Sequence, residues 1–567
     1  MKKSLILLLV IALVLPMMVF AQGSKDAAGS KSTVEYTPVG TFPVVKSPLT
    51  IDIMVVQPPC VEDYNTNKFS QYMEEKTGIK VNFIMVPEQA ATEKLALVLA
   101  SGDYPDAFLG FEMSNELETV YGSQEELFLP LNNYYNNEWL PNLMNGLSQF
   151  PGSLGFMTNI DGNIYSLPRL EGCYHCSNQA KMFVYQPFLD ALGRDVPTTT
   201  DEFYSYLKAI KNNDPNKNGK NDEIPLAGSI IGWSDQVERF LLNSFIYSDL
   251  DTNINANADD NVGYLMNGKK VETGVNKDAY RDGLKYISKL YREGLIYNGS
   301  FTQDSSQLTQ LVESSKEPVV GFATGGWRGQ FSTLGGDRFN DFRAIAPLKG
   351  PNGVQEAVNF FQNPTIGNVV ISADSEYADA IIRYFDYMYS PEGTLTQRNG
   401  FRGEAWDWAS EGQVGLDGKP AVWQEYKQWN DKDPQNETWI QIYAAALTYD
   451  MKNGLAKEPV PSTDPSYYYP ANNEKVLYDE TANLYKPYEN TANEVPDLKY
   501  TGDETEEFST VKRELANYIR QSAVKFMVGS LDVNDDKVWG EYVKNLDKLQ
   551  LPEVLGLMQK AYNRQYK

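Results

Sequence analysis

The segment 48–110 alternates short apolar strand patterns with amphipathic helix patterns. They follow one another as strand, helix, strand, helix and strand at 48–56, 64–77, 79–86, 91–100 and 102–110. Gly78 stands where the first helix must end, because glycine readily adopts the left-handed conformation of a helix C-cap. Strands that alternate with helices pair in parallel, since each helix carries the chain back to the edge where the next strand starts. The sequence therefore predicts an α/β fold around a parallel sheet.

A second series of strand and helix patterns follows later in the chain. Its members lie at 182–185, 201–211, 279–293 and 319–323. A strand pattern at 368–371 and a helix pattern at 378–388 again suit the first sheet. Ligands of open α/β sheets collect outside the carboxyl ends of the strands. Phe111 and Glu112 follow such an end, and they are candidates for ligand contact, with an ordinary solvated loop as the alternative.

The charge of the chain excludes several classes of partner. Its 567 residues carry 50 Lys+Arg against 75 Asp+Glu, a net charge of -25. Nucleic acids and anionic membrane surfaces both attract basic faces, so we expect neither as a partner. The sequence holds 1 histidine, His175, which argues against a His-rich metal site and against a nucleophile–histidine catalytic system. The length predicts about two to four domains or one large two-lobed unit.

The N-terminus has the pattern of a secretory signal peptide. Two lysines precede an apolar run at 4–20, and the residues at 19–21 fit the cleavage rule for export. A transmembrane anchor is the alternative, but the run is short for a bilayer span. No cysteine precedes Cys60, so the cleavage point offers no lipid attachment site. We expect removal of 1–21, a flexible lead at 22–45 and a free periplasmic or secreted protein.

Three cysteines leave the disulfide pairing open. In an oxidising compartment Cys173 and Cys176 can form a local disulfide, or Cys60 can pair with either of them. A zinc site that adds His175 is a further alternative. Cys173, His175 and Cys176 are too crowded in sequence for easy tetrahedral geometry, so packed or disulfide-bonded cysteines are favoured.

Residues 214–223 have the spacing of a calcium-binding loop. Oxygen-bearing groups recur at alternate positions around Gly219, where the loop must turn sharply. The twelfth position is Pro225 rather than the glutamate of an EF-hand, so the bidentate carboxylate must come from Asp222 or Glu223. The alternative is a solvated acidic turn. The predicted ligands of a structural Ca²⁺ are Asp214, Asn216, Asn218, the backbone carbonyl of Lys220, Asp222 and Glu223.

The order of several short motifs resembles that of a known family. They read ASGDYPD at 100–106, YSLP at 165–168, VPTTTDEF at 196–203, the calcium loop, and YSPEG at 389–393. The chain resembles the family 1 extracellular solute-binding proteins of ABC importers. It is most similar to the branch that includes alginate-oligosaccharide binders and lipoprotein-type binders, and the resemblance covers nearly the whole mature chain. The missing lipobox cysteine departs from the anchored members and favours the periplasm.

The resemblance implies a two-lobed periplasmic-binding-protein fold with hinge crossings and a central ligand cleft. Lobe one would comprise 46–166 and 363–398, and lobe two 167–362 and 399–567, including the calcium loop. The family has no catalytic residues. The resemblance also implies a monomer that captures a carbohydrate, expected to be an oligosaccharide, and delivers it to the membrane permease of an ABC transporter.

A sugar cleft needs flat aromatic rings and fixed hydrogen-bonding groups. Trp327 follows a predicted strand and a Gly-Gly turn, and in similar proteins a tryptophan at this place stacks on the ligand. Trp406 and Trp408 are two residues apart on an extended segment, so they point the same way. Two arginines, at 169 and 328, raise the possibility of an acidic sugar. The remaining candidates for ligand contact are Arg402, Glu404, Arg169, Glu171, Tyr174, Phe111, Glu112 and Arg328. For Arg169, Glu171 and Tyr174 the alternative is that they brace the hinge.

Two other functions remain open at this point. A secreted carbohydrate-active enzyme would need two carboxylates at a set separation, and an acidic chain always offers some such pair. No local catalytic signature supports it. The same fold can also bind a peptide or another polar solute, which the aromatic content disfavours without excluding.

Overall fold

The computed structural model describes residues 34–253, 262–360, 363–427, 433–440, 444–458 and 460–566. The predicted signal peptide and the first part of the predicted lead lie outside these ranges. Within them, every helix is too short or too polar to cross a membrane.

The described residues form several sheets surrounded by helices. The strands are β1 Leu49–Gln57, β2 Ile79–Pro87, β3 Ala107–Leu109, β4 Ser166–Glu171, β5 Lys181–Tyr185, β6 Ile224–Ala227, β7 Tyr264–Asn267, β8 Lys270–Thr273, β9 Val320–Gly325, β10 Phe342–Ala344, β11 Thr365–Ile371, β12 Trp406–Trp408, β13 Trp423–Glu425 and β14 Ala446–Leu447. The α-helices are α1 Lys68–Thr77, α2 Ala91–Ser101, α3 Asn115–Leu117, α4 Pro141–Leu147, α5 Ser153–Met157, α6 Gln186–Leu192, α7 Thr200–Asn212, α8 Val237–Leu241, α9 Asp278–Arg292, α10 Ser305–Glu313, α11 Ala378–Met388, α12 Pro391–Asn399, α13 Tyr449–Asn453, α14 Asn473–Glu480, α15 Gly502–Met527, α16 Asp536–Lys548 and α17 Leu551–Gln565.

The first sheet has six strands in the order β14-β4-β11-β3-β1-β2. Strand β1 pairs in parallel with both β2 and β3, which confirms the predicted parallel α/β arrangement. Strand β11 enters later in the sequence and runs antiparallel to β3 and β4. Helix α1 covers this sheet with buried Phe69 and Met73, and it ends at Gly78, whose φ is 73°, as the sequence predicted.

The second sheet has four strands in the order β10-β5-β9-β6. Strands β6 and β9 are parallel, whereas β5 runs antiparallel to β9. Helix α7 begins with a capping box between Thr199 and Glu202, which satisfies backbone donors that the helix cannot satisfy itself. The C-terminal helices complete this half, since Leu515 of α15 and Trp539 of α16 share its hydrophobic core with Leu284 of α9.

Three chain segments cross between the two sheets and run side by side. After β4, the Gly172 backbone N–H donates to the carbonyl of Leu447 at 2.7 Å, and the Phe360 N–H donates to the carbonyl of Ser177 at 2.7 Å. A Cβ on Gly172 would lie 2.3 Å from the backbone nitrogen of Tyr449. Only glycine therefore allows the first and third crossings to approach this closely.

The first sheet takes in chain segments that the sequence assigned elsewhere. The prediction placed all of 399–567 in lobe two, yet β14 pairs with β4, and Trp439 and Ile440 are buried in the core of the first sheet. After residue 399 the chain therefore contributes Trp439, Ile440 and β14 to the first lobe before it continues to the second lobe. A two-residue strand is too short to be visible as a sequence pattern.

The end of the predicted flexible lead is an ordered part of the first lobe. Val44 is buried, and its N–H donates to the carbonyl of Thr77 at 2.7 Å. The Arg383 guanidinium donates to the carbonyls of Thr37, Pro38 and Thr41. The prediction of flexibility is therefore wrong for 34–45, because the buried Arg383 of α11 hydrogen-bonds three carbonyls of this segment and so attaches it to the first lobe.

Candidate ligand cleft

Two loops of the second sheet meet at the carboxyl ends of β6 and β9. Because these strands are parallel, the residues that follow them emerge at the same edge. Trp233 lies on the loop after β6, and Trp327 follows β9 directly. The Gly326 N–H donates to the Trp233 carbonyl at 3.0 Å, so the backbone joins the two loops.

Both tryptophan rings pack closely against a glycine. A Cβ on Gly326 would lie 2.3 Å from the Trp233 ring, and a Cβ on Gly329 would lie 2.3 Å from the Trp327 ring. Both indoles are half-buried, so part of each remains accessible. Trp327 therefore has the exposure that stacking on a ligand requires, and Trp233, which the sequence analysis missed, has it too.

Arg328 is not available to a ligand, which corrects its place among the predicted contacts. Its side chain is 0% exposed. The guanidinium donates to the carbonyls of Phe339 and Tyr468 and to Asn473 Oδ1, and it lies 4.3 Å from the centre of the Phe339 ring. Burial lowers the pKa of Arg328 to about 10, so it stays charged at neutral pH. It ties the Trp327 turn to α14.

Trp406 is a core residue, which corrects a second predicted contact. It is 0% exposed, and its Nε1–H donates to the Gly400 carbonyl at 2.9 Å. The Trp408 ring meets it edge to face at 5.0 Å, so the two tryptophans do share one side of the strand. That side packs on a small core that includes Leu395 and Trp423, and only Trp408 is half-buried.

Arg402 and Glu404 form ion pairs at the protein surface. Arg402 Nε lies 2.7 Å from Asp407 Oδ1, and Glu404 lies 3.4 Å from Lys68 of α1 with 70% of its side chain exposed. Exposed pairs contribute only about 0–1 kcal/mol. Arg402 and Glu404 could therefore give up these ion pairs for a ligand at little cost. Their role in ligand contact stays a prediction.

The first lobe brings two predicted residues together. Arg169, at the end of β4, lies 3.5 Å from Glu112 and donates to Thr365 Oγ1. Glu112 has a φ of 47°, an unusual left-handed conformation for a residue with a side chain, and such strain concentrates at functional sites. The neighbouring Phe111 contacts Phe108 edge to face at 6.0 Å and is half-buried.

A group of charged side chains connects the crossings with the second lobe. Lys452 of α13 lies 3.9 Å from Glu171, whose side chain is 36% exposed. Burial raises the pKa of Glu171, but Lys452 and Arg169 lower it further, so its net pKa is below the usual value. Burial also raises the pKa of Glu474 of α14, but nearby cations, Lys452 first among them, lower it further, so its net pKa is likewise below the usual value. Both glutamates are therefore carboxylates at neutral pH.

Tyr174 lies in a turn closed by a disulfide. Cys173 and Cys176 are bonded, which decides among the pairings that the sequence left open and removes the thiolates that a zinc site would need. The Tyr174 ring stacks on Tyr478 with centroids 4.5 Å apart. Burial lowers the pKa of His175 to about 4, so its imidazole is neutral.

The predicted calcium loop is preorganised around carboxylate and amide oxygens. The backbone N–H groups of Asn218 and Gly219 donate to Asp214, and Gly219 has a φ of 78°. Glu223 is 8% exposed, both of its carboxylate oxygens are buried without a hydrogen-bond partner, and burial raises its pKa. A buried carboxylate without a partner is costly unless a cation offsets it, so these residues fit a hard cation such as Ca²⁺.

Several residues of the site carry no sequence signal. Lys452 lies in a short helix far along the chain from Glu171, and only the fold brings the two side chains to 3.9 Å. Glu474 lies in another short helix, where Lys452 lowers its pKa. Likewise, only the fold brings Tyr478 into contact with Tyr174. Trp233 alone had a usable signal, because it follows a strand, β6, whose carboxyl end was predictable from the α/β pattern.

The chain matches a family model and curated relatives. The family model described as bacterial extracellular solute-binding protein matches residues 61–395. The fructooligosaccharide ABC transporter substrate-binding protein FusA of Streptococcus pneumoniae is 25% identical over 570 residues, which cover 96% of this chain and 95% of that protein. Lipoprotein LipO of Bacillus subtilis is 26% identical over 68% of this chain and 70% of its own.

Solved structures with the same fold span almost the whole chain. An HMO-binding, ABC-transporter-associated solute-binding protein of Bifidobacterium longum infantis has a TM-score of 0.72 at 20% identity, covering 91% of this chain and 99% of that one. The FusA EF-hand mutant in complex with fructo-nystose has a TM-score of 0.68 at 22% identity, with coverage of 91% and 99%. The alginate-binding protein AlgQ2 without calcium ion has a TM-score of 0.62 at 22% identity, covering 91% and 98%.

Proposed function

The chain belongs to the bacterial extracellular solute-binding proteins, and on that premise we propose that it captures an oligosaccharide in the cleft between its two lobes. The captured sugar would then pass to the membrane permease of an ABC transporter. The relative FusA, which this chain covers almost end to end, is a fructooligosaccharide-binding component of such a transporter. The fold with two lobes, crossings and a cleft is the one this activity uses.

One observation carries the proposal. Two half-buried indoles, Trp233 and Trp327, lie at the carboxyl edge of the second sheet, and Arg328 links that edge through Asn473 to the neighbouring Glu474. The site thus combines flat rings for the apolar faces of a sugar with carboxylates and an ammonium group for its hydroxyls. Tyr174, Glu171 and the first-lobe pair Arg169–Glu112 would complete the ligand contacts.

We infer that the site binds without chemistry. The pKa of Glu171 and that of Glu474 are both lowered by nearby cations, Lys452 first among them, so neither has the raised pKa that a general acid of a glycoside hydrolase needs. Incubation with an oligosaccharide should return the saccharide intact. Cleavage that one Asp or Glu substitution abolishes would contradict this.

The location follows from the proposed role. The predicted signal peptide, cleaved after Ala21, would export the chain to the periplasm or to the outside of the cell. We propose a monomer whose lobes correspond to the two sheets, with the boundaries predicted from the sequence amended by the entry of β14 into the first sheet.

We further propose a structural Ca²⁺ at the loop 214–223. Asp214, Asn216, Asn218, the Lys220 carbonyl, Asp222 and Glu223 would hold it. The support is the buried Glu223 carboxylate without a partner and the related fold of a protein with an EF-hand. The ion would join the end of α7 to the start of β6.

Binding by the stacking residues can be tested by calorimetry. Trp327→Ala and Trp233→Ala should each weaken oligosaccharide binding by at least about tenfold, since each removes one ring contact. Trp139→Ala is the matched control, because Trp139 is a half-buried tryptophan of the first lobe that packs on Tyr134. Unchanged affinity in both cleft variants would refute the site, and binding of peptides instead of saccharides would refute the ligand class.

A further inference from the structure

A lysine of the second lobe is buried against the first lobe. Lys499 lies shortly before α15 and is 8% exposed. Its ammonium group donates to the carbonyl of Gly155 at 2.9 Å and to that of Thr158. Gly155 lies in the last turn of α5 and Thr158 caps that helix, where carbonyls are left without partners inside the helix. Lys499 therefore forms hydrogen bonds across the boundary between the lobes.

The backbone of Lys499 is fixed to the C-terminal helices of the second lobe. Its N–H donates to Gln565 Oε1 at 2.7 Å, and its carbonyl accepts from the guanidinium of Arg564. Arg564 is itself paired with Glu504 of α15 at 3.0 Å. The preceding residue, Leu498, packs against the core of the second lobe. Lys499 must therefore move with the second lobe, and it can reach the end of α5 only when the lobes are close together.

The two lobes also meet beside this lysine. Asn115 and Thr119 of the first lobe and Lys499 of the second line a cavity of about 10 Å³, which is room for about one water molecule. The Gln124 side chain of the first lobe lies over Gly502, since a Cβ at position 502 would be 2.1 Å from Gln124 Nε2. The contact of Lys499 with α5 is thus part of a continuous boundary between the lobes.

This boundary adjoins the part of the first lobe that carries two proposed ligand contacts. Asn115 lies three residues beyond Glu112, which is 3.5 Å from Arg169. Both Glu112 and Asn115 follow the carboxyl end of β3, the kind of edge at which ligands of α/β sheets collect. We therefore expect the rotation that opens the cleft to draw α5 away from Lys499 as well.

We propose that Lys499 is a positioning residue for ligand capture, which holds the two lobes together around a bound oligosaccharide without touching it. The inference rests on the proposed function and adds a residue that controls ligand release. When the lobes separate, the ammonium group exchanges two carbonyls for water, so the contact can form and break reversibly. Because it forms only after the lobes have approached, it should slow dissociation and leave association unchanged.

Binding kinetics of the mature chain test the role of Lys499. Stopped-flow tryptophan fluorescence with fructo-oligosaccharides of three to five units measures both rates. Lys499→Met keeps most of the side chain without its charge and should release the saccharide about fivefold faster at an unchanged association rate. Lys499→Arg keeps N–H donors and should restore slow release, and Lys544→Met, at an exposed position of α16, should match the wild type. Equal or slower release from Lys499→Met would overturn the inference.

Small-angle X-ray scattering separates this inference from the proposed function, because it needs no ligand. Without saccharide, Lys499→Met should have a larger radius of gyration than Lys544→Met. If no saccharide binds to the wild type, the proposed function fails, and the radius alone decides whether Lys499 holds the lobes together. Equal radii would then overturn that contact as well. Lys499→Gln, which also removes the charge, is the second variant for both measurements if Lys499→Met melts early.

Discussion

The Trp233 indole occupies the space directly above Gly326, so that a Cβ at position 326 would lie 2.3 Å from a ring carbon. The glycine belongs to the turn that carries Trp327, and its N–H is bonded to the Trp233 carbonyl. One small residue therefore sets the positions of both proposed stacking rings. Ligand contact at this edge depends on a residue that would itself touch no ligand.

Gly326→Ala should displace the Trp233 ring and weaken oligosaccharide binding by about tenfold, equal to the loss of roughly one aromatic contact. Calorimetry measures the affinity, and thermal melting checks the fold. Gly540→Ala is the control, because a Cβ there has no neighbour within 4 Å and position 540 lies within α16. Equal affinity of both variants would show that Trp233 does not touch the ligand.

Asp235 should make the protein less stable as the pH rises. It is 0% exposed, and burial raises its pKa to about 8 although Ser229 donates to it. The unfolded carboxyl has its ordinary pKa near 4, so between those values the folded state holds a proton that the unfolded state gives up. Stability is then lost as the pH rises toward the folded pKa.

Asp235→Asn should flatten this pH dependence. The melting temperature of the wild type should fall from pH 5 to pH 8, and that of the variant should fall less over the same interval. Asp103→Asn, an exposed aspartate, should follow the wild-type curve. Parallel curves for wild type and Asp235→Asn would exclude Asp235 as the source, leaving groups such as Glu238, whose pKa burial raises to about 7.

Calcium should stabilise the chain through Glu223. An ion that binds only the folded state adds about 2.7 kcal/mol at a concentration of 100 times its Kd, so a chelator should lower the melting temperature. Glu223→Gln should lose most of this response, whereas Glu125→Gln should retain it. A wild-type melting curve that calcium and chelator leave unchanged would contradict a calcium site.

The disulfide should contribute about 2 kcal/mol to the free energy of unfolding, at the low end for such bonds because it closes a short loop. Replacing both Cys173 and Cys176 by serine should produce this loss in denaturant titration. Reductant should destabilise the wild type by a similar amount and should have no effect on the double variant. Cys60→Ser should keep the reductant effect of the wild type, and loss of that effect in Cys60→Ser would show that Cys60 takes part in the disulfide.

The sequence pattern was sufficient for the fold and for only part of the site. Period-two strands, caps such as Gly78 and the Thr199 capping box are local, so they can be predicted without tertiary contacts. The calcium loop is local as well, since its candidate ligands lie within ten residues, and calcium binding there stays a prediction.

The errors came from residues whose burial depends on distant chain segments. Arg328 and Trp406 are residue types that often bind ligands, yet both are buried. Arg328 is bonded to Asn473, and Trp406 packs in the small core around Leu395. Conversely, Lys452 lies beside Glu171, although the two residues belong to segments with no common sequence pattern. Side-chain type shows what a residue could bind, whereas exposure is a property of the whole fold.

The contact between Gly172 and the Tyr449 backbone has a mechanical consequence. Two crossing segments that touch backbone to backbone and share hydrogen bonds cannot slide past each other. We therefore expect the two lobes to move by rotation about an axis through these segments. The angle between the two lobes would then be enough to distinguish the ligand-free protein from the ligand-bound one. A membrane permease that binds only the ligand-bound form would recognise that angle.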